Sequence, residues 1–355
     1  MPKRNVAVLG ATGTVGQRII QMLENHPWFQ LAQVAASDRS EGKSYEEAVK
    51  GRWLLAGGIP DYVRKMRVMP CTTDIDSELV FSALDSSVAG PIEEDFANAG
   101  HYVCSNCRNH RMEPYVPLVI PEVNPAHLKI LEIQKRAKSR SGYIVTDPNC
   151  STIGLVLALK PLDDAYGAKR VHVVTMQAIS GAGYPGVASL DITDNVIPFI
   201  SGEEEKMETE TQKILGSVGE NGFEYSRIEV GAQCNRVPVV DGHEECVFLD
   251  VERKADVQEA IKMLENYRGV PQDLKLPTAP ERPIVVMRDD NRPQPRLDRY
   301  NGTERSAGMT VYVGRFREDK IFDYRFVVLS HNTIRGAAGA AILNAELLEA
   351  QGYMR

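Results

Sequence analysis

Val6-Ala7-Val8-Leu9-Gly10-Ala11-Thr12-Gly13-Thr14-Val15-Gly16 is the stretch whose reading decides the fold. Four apolar residues suit a short buried strand, and over 14–24 the apolar positions Val15, Ile19, Ile20 and Leu23 recur at helical spacing. A strand that runs through a glycine turn straight into a helix is the entry to a doubly wound α/β domain. Glycines there let the backbone approach a pyrophosphate, and the helix N-terminus supplies aligned N–H donors. The spacing is a G-x-x-G-x-x-G variant. A glycine turn alone is a weak signal, but its place after a strand is the context the motif needs. Gly10, Thr12, Gly13, Thr14, Val15 and Gly16 are therefore expected against a dinucleotide.

Working outward, a second strand is expected at 31–36, and further strand-like runs at 79–82, 101–104 and 143–146 alternate with helical stretches such as 91–98 and 125–137. Alternating β and α predicts a parallel, doubly wound sheet. After Cys150 the character changes. A helix at 152–165 is followed by longer strand-like segments at 170–179, 245–252, 309–316 and 321–329, which predict an antiparallel or mixed sheet in an α+β domain. The stretch 268–305, rich in Pro, Gly and charge, reads as an irregular excursion that could line an oligomer contact. An Ala-rich helix is expected over 332–351, packing back on the first domain. The expected organisation is a dinucleotide-binding domain of residues 1–149 and 331–355 around a second domain of 150–330.

At 355 residues the chain is about twice the usual single-domain length. With 43% hydrophobic and 25% charged residues it is a packed globular chain, not a disordered polymer. A net charge of -7 leaves no broad basic surface for nucleic acid. The uncharged run 171–190 contains His172, Gln177, Pro185 and several glycines, whose polar groups would go unsatisfied in lipid. No membrane partner is expected. The N-terminus runs almost directly into the first strand with no room for a signal peptide, so a cytoplasmic location is expected. Six sparse cysteines fit free thiols there.

The end of the second strand normally reads the adenosine ribose, with an acid for NAD and cations or hydroxyls for the 2′-phosphate of NADP. Here the signals conflict. In Ser37-Asp38-Arg39-Ser40-Glu41-Gly42-Lys43, Asp38 would repel a phosphate that Ser37, Arg39, Ser40 and Lys43 would bind. The balance favours NADP, with some use of NAD open. Ser82, closing the strand 79–82, is expected to line the same cleft.

In Asp147-Pro148-Asn149-Cys150-Ser151-Thr152 a predicted strand gives way to the apolar helix of Leu155, Val156, Leu157 and Leu159. That puts Cys150 at a helix N-terminus, where the macrodipole and free N–H groups favour a thiolate and an oxyanion. Farther on, Gln233-Cys234-Asn235-Arg236 and Gly242-His243-Glu244 bracket a short segment, read as one strand with a cation and an imidazole at its ends. His243 is the candidate partner of the thiol. Cys104-Ser105-Asn106-Cys107 has C-x-x-C spacing, but no second pair stands at a ligand distance, so no metal site is expected.

With Gly10 to Gly16, the Asn149-Cys150-Ser151 core, Ser180-Gly-Ala-Gly-Tyr-Pro-Gly186 and Arg236 to His243 in this order, the chain resembles the aspartate-β-semialdehyde dehydrogenase family over nearly its whole length. Val116-Pro-Leu-Val-Ile-Pro-Glu-Val-Asn124 and His331-Asn-Thr-Ile-Arg-Gly336 are similar to the archaeal and fungal branch. The resemblance implies a Rossmann-type domain plus a glyceraldehyde-3-phosphate-dehydrogenase-like catalytic domain. It also implies NADPH-dependent reductive dephosphorylation of L-aspartyl-4-phosphate to L-aspartate-4-semialdehyde, on the way to lysine, threonine and methionine, by a homodimer or homotetramer. Cys150 would form the thioacyl intermediate beside Asn149, His243 would move the proton, and Gln177 would orient the substrate or His243. Arg236 would grip the α-carboxylate, Glu203 or else Glu204 the amino group, and Lys206 and Arg111 (rather than Arg108) the phosphate. Ser180, Gly181 and Gly183 would admit the nicotinamide, and Asn332 would hold its carboxamide. An acyl-CoA reductase on the same scaffold and a dinucleotide sensor without turnover are the competing readings. N-acetyl-glutamyl-phosphate reductases, similar in chemistry, would show Gly-Cys-Tyr at the nucleophile, and this chain does not.

Overall fold

The computed structural model describes residues 2–354. The chain divides into two compact units. The first holds the chain up to Val119, His127–Asp147 and everything from Ala338 on, and the second holds Ile120–Ala126 and Pro148–Ala337.

In the first unit, strands β1 (Arg4–Leu9), β2 (Phe29–Ala35), β3 (Val68–Met69), β4 (Leu79–Ser82), β5 (Tyr102–Ser105) and β6 (Tyr143–Thr146) make one sheet in the order β3-β2-β1-β4-β5-β6. Every pairing in it is parallel, as expected from the β/α alternation. Val6, Val8, Leu9, Val80 and Phe81 are all fully buried, because a parallel sheet is covered on both faces and its strands read as continuous apolar runs. The strand order reverses at β1, which pairs with β2 on one side and β4 on the other. Ligands of such sheets bind at that switch point, and the turn Gly10–Gly16 leaves β1 there. The helix expected at 91–98 begins earlier, at Ser86, because Asp85 caps it by accepting from the Ser87 N–H at 2.9 Å.

The second unit is built on β7 (Ala168–Gln177), a small hairpin of β8 (Ser217–Gly219) and β9 (Gly222–Glu224), then β10 (Glu229–Arg236), β11 (His243–Val251), β12 (Ile284–Met287), β13 (Val311–Glu318) and β14 (Tyr324–Ser330). Its main sheet runs β10-β7-β11-β14-β13-β12. The central pairings are antiparallel and the two edge pairings parallel, so the sheet is mixed as expected. The helix Cys150–Tyr166 is apolar nearly all round and buried along most of its length.

Three expectations need correction. The stretch 268–305 is not wholly irregular, since its four residues Ile284–Met287 pair with β13 as an edge strand. Arg236 and His243 do not share a strand: one ends β10, the other begins β11, and residues 237–242 form the connection. The helix expected over 332–351 is a π-helical turn, Ile334–Ala338, followed by an α-helix, Gly339–Ala350. The wider turn coincides with a packing demand that α-helical periodicity does not reveal. Arg335, 1% exposed, makes a two-pronged ion pair with buried Glu122 at 2.8 and 2.7 Å.

Candidate active site

The thiol is set by its cap. Asn149 has extended backbone, and its Oδ1 accepts from the Ser151 N–H at 2.9 Å and the Thr152 N–H at 3.2 Å. Two donors of the first turn are thereby satisfied, and Cys150 becomes the first residue of the helix. The same side chain faces outward through Nδ2, which donates to Glu203 Oε1 at 2.7 Å, while the Asn149 N–H donates to Glu210 Oε2 at 2.7 Å. One asparagine thus fixes both the helix start and an acid beside it.

Glu203 opens the helix Glu203–Ile214, and composition alone suggests a solvated Glu/Lys face. The structure corrects this. Glu203, Met207, Glu210 and Thr211 form a buried side at helical spacing, with Glu203 only 6% exposed. Burial alone would raise the Glu203 carboxyl, but Lys206 at 2.9 Å and the Asn149 amide hold it below the usual carboxylate range. Glu204 is engaged elsewhere, accepting from the Cys234 N–H at 3.1 Å.

Sheet register supplies the remaining side chains of this unit. Arg236 of β10 pairs with Gln177 of β7, and His243 of β11 pairs with Ser330 of β14, so Arg236, Gln177, His243 and Ser330 form one row at the sheet's end. His243, fully buried, places Nε2 3.2 Å from Cys150 Sγ and accepts from the Ala178 N–H on Nδ1 at 3.0 Å. Burial first, then the nearby Arg236 and His331, push its imidazole down to about 3 against the pull of Glu203. Arg236 Nη1 donates to the Ala178 carbonyl at 2.8 Å, and Gln177 Nε2 donates to Thr175 Oγ1 at 3.3 Å.

Two glycines keep the site open. A Cβ on Gly181 would lie 2.9 Å from Arg236 Nη1 and 3.2 Å from His243 Nε2, and one on Gly336 would lie 2.7 Å from the Cys150 Cβ. Gly183, at φ +69°, has open space where its side chain would be. Asn332 ties the surrounding loops together, donating to Ser180 Oγ at 2.8 Å and accepting from the Gly242 N–H at 2.8 Å.

The dinucleotide turn belongs to the first unit. Gly10, at φ +72°, has no room for a Cβ, which would sit 2.3 Å from the Ala83 carbonyl oxygen, and a Cβ on Gly16 would sit 2.3 Å from the Gly10 oxygen. Gly13 caps the helix Thr14–Leu23 without a side chain, no acid lies in its first turn, and the buried Thr14 Oγ1 has no partner among the described residues. Uncapped N–H groups and an orphan hydroxyl at a helix start fit a phosphate-bearing dinucleotide. Thr12 and Val15 are half-buried in the same turn. In the loop after β2, the Ser40 N–H donates to the Ser37 carbonyl at 2.8 Å and Lys43 Nζ to the Arg39 carbonyl at 2.6 Å, while Asp38, Arg39 and Lys43 stay exposed. Ser82 is buried at the end of β4, its hydroxyl 3.8 Å from the Cys107 sulfur. Arg111 is buried and donates to the Asn106 carbonyl at 2.9 Å, whereas Arg108 is exposed. Cys104 and Cys107 are buried, and burial pushes both thiols up, which makes them inert.

Sequence reasoning missed Glu210, Glu245, Ala178 and the Glu122–Arg335 pair. Glu210 stands two helical turns from Glu203, so a helical-wheel reading of 203–214 would have found it. Ala178 acts through its backbone and leaves no compositional signal.

A Rossmann-ordered sheet with a glycine cradle and a thiol at a helix start against a buried imidazole define a class, the dinucleotide-dependent oxidoreductases that hold an acyl group on cysteine. The chain belongs to the semialdehyde dehydrogenase family. The family model for its NAD-binding domain matches residues 5–131, and that for its dimerisation domain matches residues 159–335. The chain is 52% identical over 97% of its length to the aspartate-semialdehyde dehydrogenase of Methanothermobacter thermautotrophicus, covering 98% of that relative. It is 48% identical to the one from Schizosaccharomyces pombe, with both chains fully covered. The crystal structure of the Candida albicans enzyme with NADP superposes with a TM-score of 0.90 at 43% identity, covering 99% of each chain. Among the described residues no helix is long and apolar enough to cross a membrane.

Proposed function

We propose that this protein is an NADP-dependent aspartate-semialdehyde dehydrogenase that converts L-aspartyl-4-phosphate to L-aspartate-4-semialdehyde in amino-acid biosynthesis. The observation that carries the reading is the Cys150 sulfur, first in its helix and 3.2 Å from the His243 Nε2. The thiolate attacks the acyl carbon, the carbon–oxygen bond to phosphate breaks, and phosphate leaves with the acyl group on sulfur. When bound, NADPH supplies the hydride that reduces this thioester. The carbon–sulfur bond then breaks, releasing aldehyde and returning thiolate.

Arg236 suits the α-carboxylate, since its fork is planar and Nη1 already has a fixed partner in the Ala178 carbonyl. Glu203, held ionised by Lys206 and Asn149, suits the α-ammonium; Lys206 and Arg111 are the cations assigned to phosphate. Gln177 and Asn149 orient the acyl group and the thiol. Gly10, Thr12, Gly13, Thr14, Val15, Gly16 and Ser82 would hold the dinucleotide phosphates and cleft wall, and Ser37, Arg39, Ser40 and Lys43 the 2′-phosphate. Ser180, Gly181, Gly183 and Asn332 are assigned to the nicotinamide end. The first unit would be the dinucleotide-binding domain and the second the catalytic and dimerisation domain. The second exposes large apolar side chains at Leu190 and Phe199, 92% and 64% accessible, which suits burial against a second copy. A cytoplasmic location fits such a biosynthetic step.

The test is phosphate-dependent oxidation of aspartate semialdehyde with NADP or NAD by wild type and Cys150→Ala. Wild type should turn over, with NADP preferred, and the variant should lose at least about a thousandfold, the scale expected when a covalent nucleophile is removed. Equal rates, or activity with acyl-CoA alone, would overturn the reading.

A further inference from the structure

We infer that His110 is a positioning residue for the proposed reaction: its imidazole, donating from both ring nitrogens, clasps the turn that carries Arg111 to the helix Ser86–Asn98 and so sets the affinity for the phosphate group. The inference rests on the reading that Arg111 binds that phosphate, and it makes the binding weaken as His110 loses a proton.

The geometry assigns both protons. His110 Nδ1 lies 2.6 Å from Glu113 Oε1, and Nε2 lies 3.2 Å from the Gly90 carbonyl oxygen. A carbonyl and an ionised carboxylate can only accept, so each ring nitrogen has to donate, and an imidazole with two N–H groups is a cation. Its counter-charges come from two elements, Glu113 in its own turn and Glu93 in the helix. Glu93 is fully buried, and its Oε1 accepts from Ser105 Oγ at 2.7 Å. Its Oε2, with no hydrogen-bond partner among the described residues, stands 3.5 Å from His110 Nε2. Burial alone would lower the imidazole, but the Glu113 hydrogen bond, then Glu93 and the Gly90 carbonyl, carry it above the usual histidine range. Glu113 is held below the usual carboxylate range, first by its hydrogen bond from His110, against burial, with Lys138 adding to the pull and Glu94 opposing it.

The clasp bears on Arg111 through the chain. Asn109 Nδ2 donates to the Ser86 carbonyl at 2.9 Å, and Gly90 admits it closely, since a Cβ there would lie 3.1 Å from that nitrogen. His110 ties the next residue to the same helix. Arg111, buried directly after it, closes the turn by donating from Nη2 to the Asn106 carbonyl at 2.9 Å. The backbone repeats the closure, with the Arg111 N–H on the Arg108 carbonyl at 3.2 Å and the Glu113 N–H on the His110 carbonyl at 3.1 Å. A neutral His110 has one N–H for two acceptors, so one tie is lost, and Glu93 loses the cation at its Oε2. Because the folded protein raises the imidazole, the clasp is complete below the His110 midpoint and opens as pH rises through it.

The test reads the imidazole and the phosphate separately. In NADP-loaded protein carrying 15N-labelled histidine, the His110 resonance, identified by its loss in His110→Gln, should show both nitrogens protonated at about pH 6 and a midpoint above the ordinary histidine value. Over the same pH range, the KM for inorganic phosphate in the oxidation of aspartate semialdehyde is measured for wild type, His110→Gln, Glu113→Gln and Arg111→Met. Taking each value relative to wild type cancels the ionisation of phosphate itself. At about pH 6, His110→Gln should raise this KM about tenfold and leave kcat within about twofold, the scale of a slightly misplaced binding group. The ratio should fall toward one as pH passes the wild-type midpoint. Glu113→Gln, which removes one counter-charge, should lower the His110 midpoint by about one pH unit and weaken phosphate binding only between the two midpoints. A neutral imidazole at about pH 6, or a KM ratio that does not change with pH, would overturn the inference. Should His110→Gln not fold, the wild-type spectrum and Glu113→Gln decide it. Arg111→Met separates the two readings. If it raises the phosphate KM and His110→Gln does not, this inference alone fails; if it leaves the KM unchanged, the phosphate assignment fails and takes the inference with it.

Discussion

Glu245 is a carboxyl on the buried face of β11, two residues from His243 and followed on that face by Val247, Leu249 and Val251. It is fully buried, neither oxygen has a hydrogen-bond partner among the described residues, and burial pushes its carboxyl well above the ordinary value. The folded protein therefore holds it protonated, while the unfolded chain ionises it above about pH 4.5. Its contribution to stability is fully present below that pH and is lost as pH rises. Glu245→Gln removes the titration, so its melting temperature relative to wild type should be higher at pH 8 than at pH 5. The gain can reach about 1.4 kcal/mol for each pH unit by which the folded value is raised. Thermal melts at the two pH values check this; an equal offset at both would mean the carboxyl is not held neutral.

At the scale of elements, Asn149 couples two helices. Asn149→Ala should remove the cap, costing about 1 kcal/mol, and release Glu203 from its amide partner. Asn149→Asp keeps the capping oxygen but sets a like charge against Glu203. Melting temperature should therefore recover in the Asp variant while the alkylation rate of Cys150 and turnover stay low; joint recovery would make Asn149 a cap and nothing more. How far such features can be read from sequence depends on whether their cause is local. The start of the thiol helix was legible because Asn149 and an unbroken apolar run flank Cys150. The approach of His243 comes from pairing between β11, β7 and β14, and no local pattern encodes strand register. Glu203 ran against composition, because its burial is offset by Lys206 and Asn149 from opposite directions. The edge strand Ile284–Met287 was hidden in a stretch rich in proline and charge. The π-helical turn was invisible because alanine-rich spacing fits either helix type, and the pairing of Arg335 with Glu122 that accompanies it spans more than two hundred residues.

At the scale of the molecule, that pairing joins two segments of the second unit that are far apart in sequence. Glu122 lies in Ile120–Ala126, a short excursion of the chain into this unit, and Arg335 lies in the turn that brings Gly336 against Cys150. Arg335→Met leaves a buried carboxylate unpaired and should cost about 3–5 kcal/mol, lowering the denaturation midpoint, with much of the loss regained when Glu122→Gln is added. If the double variant is no more stable than the single, the pair is not the tie described. The proposed reaction requires an acyl group carried by one sulfur. Wild-type protein incubated with aspartate semialdehyde and NADP in the absence of phosphate, then acid-quenched for peptide mass analysis, tests this most directly. An aspartyl adduct on the peptide containing Cys150, formed with one equivalent of reduced cofactor per chain, is the expected result; no adduct, or one on the half-buried Cys71 or Cys246, would contradict it.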